Sequence, residues 1–279
     1  MSELVAGKPV RLSDRVVRLL APNPSVFTGP GTNSYLLLAG DAVTVLDPGP
    51  TDEAHIRALM SAAETLGGRI RHIVCTHTHD DHSPGARVLA ERTGARIIGN
   101  PAPEDGYNDT SFKPDFIPDD DSVLELDGLR LRVVATPGHV SNHLCFLLEE
   151  ERMLFTGDHL MQGSTVVIVP PEGSMRDYLA SLARLERLPL AVIAPGHGVL
   201  MDDPAQVIAA TTRHRLAREA KTLRALRERG TATINELLPR VYDDVPPFMH
   251  AIARLSLEAH LIKLLEDGTI SRDGERWQA

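Results

Sequence analysis

The sequence is short of cysteine, of aromatic residues and of long apolar runs, and each shortage excludes a class of protein. Its two cysteines, Cys75 and Cys145, each lie inside an apolar run that reads as a strand, so they are expected in the core and not in a disulfide framework. No run approaches the roughly 18–20 apolar residues needed to cross a bilayer, and the opening MSELVAGKPVRLSDR lacks the basic-then-apolar layout of a secretory leader. A cytoplasmic protein with no membrane partner is expected. Aromatics make up only 4% of the chain, with no interleaved Phe, Tyr or Trp platform for stacking bases. Net positive charge is also missing: the formal charge of −9 repels nucleic acid unless basic residues gather on one surface. They partly do, since residues from Pro204 onward carry 12 Lys plus Arg against 10 Asp plus Glu, and Arg213 to Arg229 carries seven basic residues against two acidic.

What is present is ordinary for a globular chain. The 279 residues are 42% hydrophobic and 24% charged, enough for a large core and a smaller second domain. Over the first 200 or so positions, short β-like runs rich in branched apolar residues alternate with helix-like stretches, the pattern of a mixed α and β fold. Strands are expected at 15–20, 35–38, 42–47, 72–76, 95–99, 122–126, 129–134, 144–148, 152–155 and 191–193, with helices at 52–66, 84–92 and 175–188. Leu129 to Val133 alternates Leu, Arg, Leu, Arg, Val, as a strand with one wet face does; Ile73, Val74 and Cys75 are continuously apolar, as in a strand buried on both faces. At Pro204 the texture changes to a long arginine-rich helix ending at Arg229, a segment TATINELLPRVY, and a helix from about Phe248 to Glu266. Two Asp-Gly pairs then flank a short β-like piece and read as a hairpin. Three helices and a hairpin suggest a winged-helix module, dividing the chain into residues 1–203 and 204–279.

The strongest local signal is Thr76-His77-Thr78-His79-Asp80-Asp81-His82, directly after a buried strand and before Ser83-Pro84-Gly85. Ser83 suits an N-cap and Pro84 a first helical position, so a tight loop between strand and helix bunches imidazoles and carboxylates at one strand end. Thr136-Pro137-Gly138-His139, Gly157-Asp158-His159 and Ala194-Pro195-Gly196-His197-Gly198 likewise place a donor after an apolar strand beside Gly or Pro. Imidazole nitrogen and carboxylate oxygen are the donors Zn²⁺ prefers. Seven of them exceed one tetrahedral ion but suit two ions sharing a carboxylate, with a position left for water.

HxHxDH followed by TPGH, GDH and PGHG in that order resembles the metallo-β-lactamase superfamily, and Thr32-Asn33-Ser34-Tyr35 and Asp47-Pro48-Gly49 resemble its opening strands. The resemblance implies an α+β fold, a four-layer αββα sandwich, here followed by the winged-helix-like domain. It implies two Zn²⁺, with Mn²⁺ or Fe²⁺ as alternatives. His77, His79 and His139 would hold the first ion, Asp81, His82 and His197 the second, and Asp158 would bridge them. Asp81 and Asp158 would thus serve catalysis, in which a metal-bridging hydroxide attacks an ester, thioester, amide or phosphodiester. His143 would either hydrogen-bond the substrate or orient a neighbouring ligand. Asp80 reads as a supporting residue or loop cap and His159 as packing beside Asp158, while His55, His72, His214, His250 and His260 read as surface or structural.

Within the superfamily the sequence is similar to the branch of the endoribonuclease β-lactamase-like protein 2, through Gly163-Ser164-Thr165 after GDH, Tyr178 to Leu182, and Thr212-Arg213-His214-Arg215. That similarity implies single-stranded RNA as a partner, contacted by Ser164, Thr165, Arg213 and His214. Glyoxalase II-like thioesterases share the ligand set, but the segment after Asp158 departs from their glycine-rich one. Three readings therefore stand: a hydrolase of a small ester or thioester, a single-stranded RNA endonuclease, and a winged-helix regulator with a structural metal site. Glu258, His260, Lys263 and Glu266 are expected to face outward from the last helix, a mixed surface that grips phosphate poorly and reads as a wall or lid.

Overall fold

The computed structural model describes residues 4–104 and 106–279. They form two compact units: the chain up to Thr136 with Asn142–Ser164 and Pro189–Pro204, and Pro137–Ser141 with Thr165–Leu188 and Ala205–Ala279.

In the first unit, β1 (Val10–Arg11), β2 (Val16–Leu20), β3 (Asn33–Ala39), β4 (Ala42–Leu46), β5 (Arg69–Val74) and β6 (Arg96–Ile98) form one sheet in chain order. Helices α1 (Glu53–Thr65) and α2 (Gly85–Thr93) are the crossovers that let β4, β5 and β6 run parallel. The second sheet has the order β11-β10-β9-β8-β7, from β7 (Val123–Leu126), β8 (Leu129–Ala135), β9 (Leu144–Leu148), β10 (Met153–Gly157) and β11 (Val192–Pro195).

Side-chain alternation sorts the strands of the first sheet between two apolar layers. Val16, Tyr35, Leu37, Leu46 and Val74 meet Leu131, Val133, Phe146 and Phe155 between the sheets. Their neighbours Val17, Leu19, Leu36, Val45, Ile73 and Cys75 pack under Ile56, Leu59 and Leu89 of α1 and α2. This explains the unbroken apolar run at Ile73–Cys75: both faces of that strand are covered. Both cysteines are buried and neither is in a disulfide, as expected.

Two expectations need correction here. The strand before His77 begins at Arg69, three residues before the expected His72, because Ile70 is buried between exposed Arg69 and Arg71 and extends the alternation. Ser83 does not cap α2: the helix starts at Gly85, and the Ser83 hydroxyl donates instead to Asp109 Oδ2 at 2.9 Å. Pro84 takes the N-cap position in its place.

In the second unit are α3 (Met175–Leu185), α4 (Pro204–Arg229), β12 (Thr231–Ala232), α5 (Ile234–Val241), a 3₁₀ turn at Pro247–Met249, α6 (His250–Glu266), β13 (Ser271–Asp273) and β14 (Arg276–Gln278). The Thr233 side chain accepts from the Glu236 amide while Glu236 reaches back to Thr233, a capping box that starts α5. Leu226, Leu237, Leu257, Leu261 and Trp277 form the core, and β13 and β14 are the hairpin that the Asp-Gly pairs indicated. The outward face assigned to α6 is wrong in one member: His260 is fully buried, 3.7 Å from Glu219 of α4. Among the described residues no helix is long and apolar enough to cross a membrane.

Candidate metal centre

In the first unit the loops that carry His77 to His82, Asp158 and His197 leave the C-terminal ends of β5, β10 and β11, and parallel pairing puts the ends of β10 and β11 side by side. Two groups of donors result. The ligand atoms of His77, His79, His139 and Asp158 lie within 4.8 Å of one another, as do those of Asp81, His82 and His197. Asp158 touches both groups, for its Oδ1 is 3.3 Å from His82 Nε2 and 3.1 Å from His197 Nε2. Asp81 Oδ2 lies 3.3 and 3.2 Å from the same two nitrogens, and His77 Nε2 is 3.0 Å from His79 Nδ1. Four donors about 2.0–2.1 Å from one tetrahedral cation are separated by about 3.3 Å, so these spacings suit such an ion.

Ring orientation supports the fit, because four histidines have the nitrogen remote from the group tied to an acceptor. His82 Nδ1 donates to the buried Asp47 carboxylate at 2.9 Å, His197 Nδ1 to the Gly31 carbonyl at 3.1 Å and His139 Nδ1 to the Val167 carbonyl at 2.7 Å. His77 Nδ1 is 3.1 Å from the Thr76 hydroxyl, whose own proton goes to Asp47 Oδ2, so the hydroxyl oxygen accepts from the ring. Each Nε2 is then the nitrogen turned toward the group, and in the neutral ring it presents its lone pair there.

Electrostatics points the same way. Burial opposes a charge on His197, yet Asp158 and Asp81 override it and hold its pKa up to about 10. His82 is likewise raised against burial by Asp81, Asp158 and Asp47. Burial opposes ionisation of Asp158, but His197 and His82 hold it well below the usual carboxylate range. The carboxylates demand positive charge at this point, and protonated imidazoles supply it where a divalent cation fits. His77 is the opposite case, driven well down by burial and by His82, His79 and His143.

Two glycines leave room for this crowding. A Cβ on Gly196 would sit 2.7 Å from His82 Cε1 and 2.9 Å from Asp158 Oδ1. One on Gly157, where φ is +44°, would lie 2.4 Å from the Thr76 hydroxyl.

The other expected residues are placed as follows. His143 is 1% exposed; its Nδ1 meets the Thr136 hydroxyl at 2.9 Å, and its ring stacks on His77 with centroids 5.0 Å apart. His159 is buried, its ring 5.9 Å from that of His143, while Asp80 is exposed. Ser164 is exposed and Thr165 half-buried; Arg213 and His214 are exposed on α4. Arg215 and Arg218 of the basic stretch are buried instead, bound to the Val166 carbonyl and to Asp244 with the Val241 carbonyl.

Sequence reasoning gave no role to three residues that build the centre. Asn33 donates its side-chain amide to the carbonyls of Pro195 at 3.0 Å and Gly198 at 2.9 Å, and its backbone N–H to that of Gly196 at 2.7 Å. The Tyr35 hydroxyl adds a 2.7 Å bond to Pro195, so the turn carrying His197 is held at three carbonyls. Asp47, at φ +48°, accepts from the Thr76 amide at 2.7 Å, the Thr76 hydroxyl at 2.8 Å and His82. A polar Asn-Ser pair opening an apolar strand and an Asp closing one were the available signals.

Comparison with known proteins agrees with this geometry. Residues 27–197 match the Metallo-beta-lactamase superfamily and residues 233–277 the Beta-lactamase associated winged helix domain. A Beta-lactamase-like protein 2 homolog of Caenorhabditis elegans is 32% identical over 97% of this chain and 91% of its own. An Atrochrysone carboxyl ACP thioesterase of Aspergillus novofumigatus is 29% identical over 94% and 82%. A metallo-beta-lactamase family protein of Thermus thermophilus superposes with a TM-score of 0.79 at 26% identity, covering 96% of this chain and 99% of that one. With the two packed sheets, the ordered His and Asp motifs and the C-terminal winged helix all accounted for, the chain belongs to the metallo-beta-lactamase superfamily and is a hydrolase of that family.

Proposed function

We propose that this protein hydrolyses acyl thioesters with two divalent cations, zinc in the first instance, held by His77, His79 and His139 and by Asp81, His82 and His197, with Asp158 shared. The observation that carries the reading is the shared carboxylate: Asp158 belongs to the first group while its Oδ1 lies within 3.3 Å of both imidazoles of the second. Bound cations would supply an activated water at neutral pH and a Lewis acid for the carbonyl oxygen. The protein's own residues do the rest. Asp81, partly exposed and steadied by the Thr32 hydroxyl at 2.9 Å, is placed to take the proton of the attacking water and pass it to the departing thiolate sulfur. His143 is too deeply buried to meet a substrate and in this reading holds the His77 ring in place. The thioester class is favoured by the activity named for the fungal relative and by the inward turn of Arg215 and Arg218, which bind inside the fold and so leave fewer residues of the basic stretch on the surface to meet phosphate. The winged-helix unit is assigned a structural role, and the cytosol is the proposed compartment.

The test is a substrate panel of acyl thioesters with a thiol-reactive dye, single-stranded RNA oligomers and a chromogenic lactam, each with and without chelator. Chelator-sensitive thiol release that Asp158→Asn abolishes is expected. RNA cleavage lost in Asp158→Asn, with thioesters untouched, would transfer the assignment to the ribonuclease reading. No turnover by a sample carrying two metal equivalents would favour the regulator.

A further inference from the structure

We infer that Arg215 of α4 is a positioning residue for the metal ligand His139, acting through the segment Val166–Ile168. The inference rests on the dinuclear reading above. The His139 ring is oriented by its Nδ1 bond to the Val167 carbonyl. That carbonyl is flanked by two further ties. Arg215 donates through Nη2 to the Val166 carbonyl, and the Ile168 amide donates to the Ser256 hydroxyl of α6 at 3.4 Å. Three consecutive residues are thus gripped by α4, by the ligand and by α6.

The loop that carries His139 is fixed from its other side by α3. The Ser174 amide donates to the Gly138 carbonyl at 2.8 Å and the Ser181 hydroxyl to that of Pro137 at 2.8 Å. A Cβ on Gly138 would lie 2.4 Å from Tyr178 Cα, so the loop backbone lies against the helix. The Arg215 guanidinium stacks over Tyr178, 5.0 Å from the ring centroid. Arg215 therefore touches both the segment that orients His139 and the helix under its loop.

The chemistry of Arg215 is otherwise hard to explain. It is 3% exposed, and no carboxylate pairs with it among the described residues. A guanidinium in that state is costly, and an arginine that served only to fill space would be more stable as an apolar side chain. What an apolar residue lacks is a directed donor for the Val166 carbonyl. Without it the 166–168 segment can rotate, the Val167 carbonyl moves off Nδ1, and the proton that keeps the Nε2 lone pair aimed at the cation is no longer held there. The arginine-rich helix that looks like a phosphate-binding surface thus turns one arginine inward to serve the metal centre.

The experiment is a zinc titration of the full-length, metal-free protein against a chromogenic chelator, with His139→Ala and His197→Ala identifying the two sites. Arg215→Met is expected to weaken the His139-containing site about 10- to 100-fold and leave the other within about twofold, the usual effect of removing a group that orients a ligand. Arg215→Lys keeps one donor and is expected to recover most of the affinity. Arg218→Met is the structural control: it also removes a buried α4 guanidinium, but one bound to Val241 and Asp244, and it should lower thermal stability with both affinities intact. If Arg215→Met fails to fold, Ser256→Ala carries the test and should weaken the same site. Unchanged affinity at the first site in Arg215→Met, or in Ser256→Ala standing in for it, overturns the inference; so does equal weakening in Arg215→Met and Arg218→Met. A wild-type protein that takes up no metal defeats the underlying functional reading instead.

Discussion

Replacing Asp47 by Asn isolates one hydrogen bond that decides whether His82 can hold a cation. Asn tolerates the left-handed φ of +48° and matches the carboxylate in shape, so the backbone is not disturbed. In the native protein Oδ1 accepts from the Thr76 amide at 2.7 Å, and Oδ2 accepts from the Thr76 hydroxyl and from His82 Nδ1. The Thr76 amide cannot move, so the carboxamide oxygen must face it and the NH₂ must take the Oδ2 position. The hydroxyl can rotate to accept; His82 can accept only by moving its proton from Nδ1 to Nε2, the nitrogen aimed at the second group. A charge-assisted hydrogen bond of about 1.5–3 kcal/mol is lost, which is about a 10- to 150-fold weaker second-site metal affinity. The first site should change little directly, although the Thr76 hydroxyl also touches His77 Nδ1 and shares a small part of the effect. Chelator competition monitored site by site measures this, and Asp47→Ala, which orphans three buried donors, should cost about 3–5 kcal/mol of stability in urea unfolding as well. Asp47→Asn with an unchanged second site, or with the deficit confined to the first, would refute the tautomer argument.

Burial holds His55 at a pKa of about 4, below its ordinary 6.5, with its Nε2 on the Ser34 hydroxyl at 2.9 Å. The fold accommodates the neutral ring, so this contribution is complete above about pH 6.5 and is lost as pH falls toward 4; by about pH 4.5, wild type should lose about 2–3 kcal/mol more than His55→Gln does, read by urea unfolding at both ends of the range. Gly157→Ala should destabilise by about 3 kcal/mol or more and reduce metal content, because the new methyl meets the Thr76 side chain at a positive φ; metal analysis and a thermal melt check it. Leu257→Ala, deleting a fully buried side chain of the winged-helix core, should cost about 2–5 kcal/mol in unfolding of that unit, seen as an earlier loss of Trp277 fluorescence.

The ligand motifs were legible because each follows an apolar strand and is released by Gly or Pro, so that neighbouring letters already describe a turn presenting a donor. Asp47, Asn33 and Tyr35 were not, for their partners lie 29 to 165 positions away and nothing local marks an acceptor of three bonds or a donor to three carbonyls. Arg215 and His260 misled in the opposite direction: within an arginine-rich or mixed helix face a charged residue reads as solvated, and only the packing of α4 beside α6 shows that it is inside. Ser83 is not the cap because the helix begins one residue later than its sequence suggests, with Pro84 at the N-cap position. β1 and β12, two residues each, are too short to carry any periodicity.

The bonds from Asn33 and Tyr35 to the 195–198 turn also bear on how the chain assembles. They join the third strand of one sheet to the exit of the last strand of the other across some 160 positions, a loop closure that cannot form until nearly all of the first unit has been threaded. Such high contact order makes late ordering of the His197 turn the expected kinetic bottleneck. During synthesis, the His77 to His82 loop would emerge from the ribosome well before its partners and meet metal as an open, weak chelator, acquiring its cage only when the chain closes behind it.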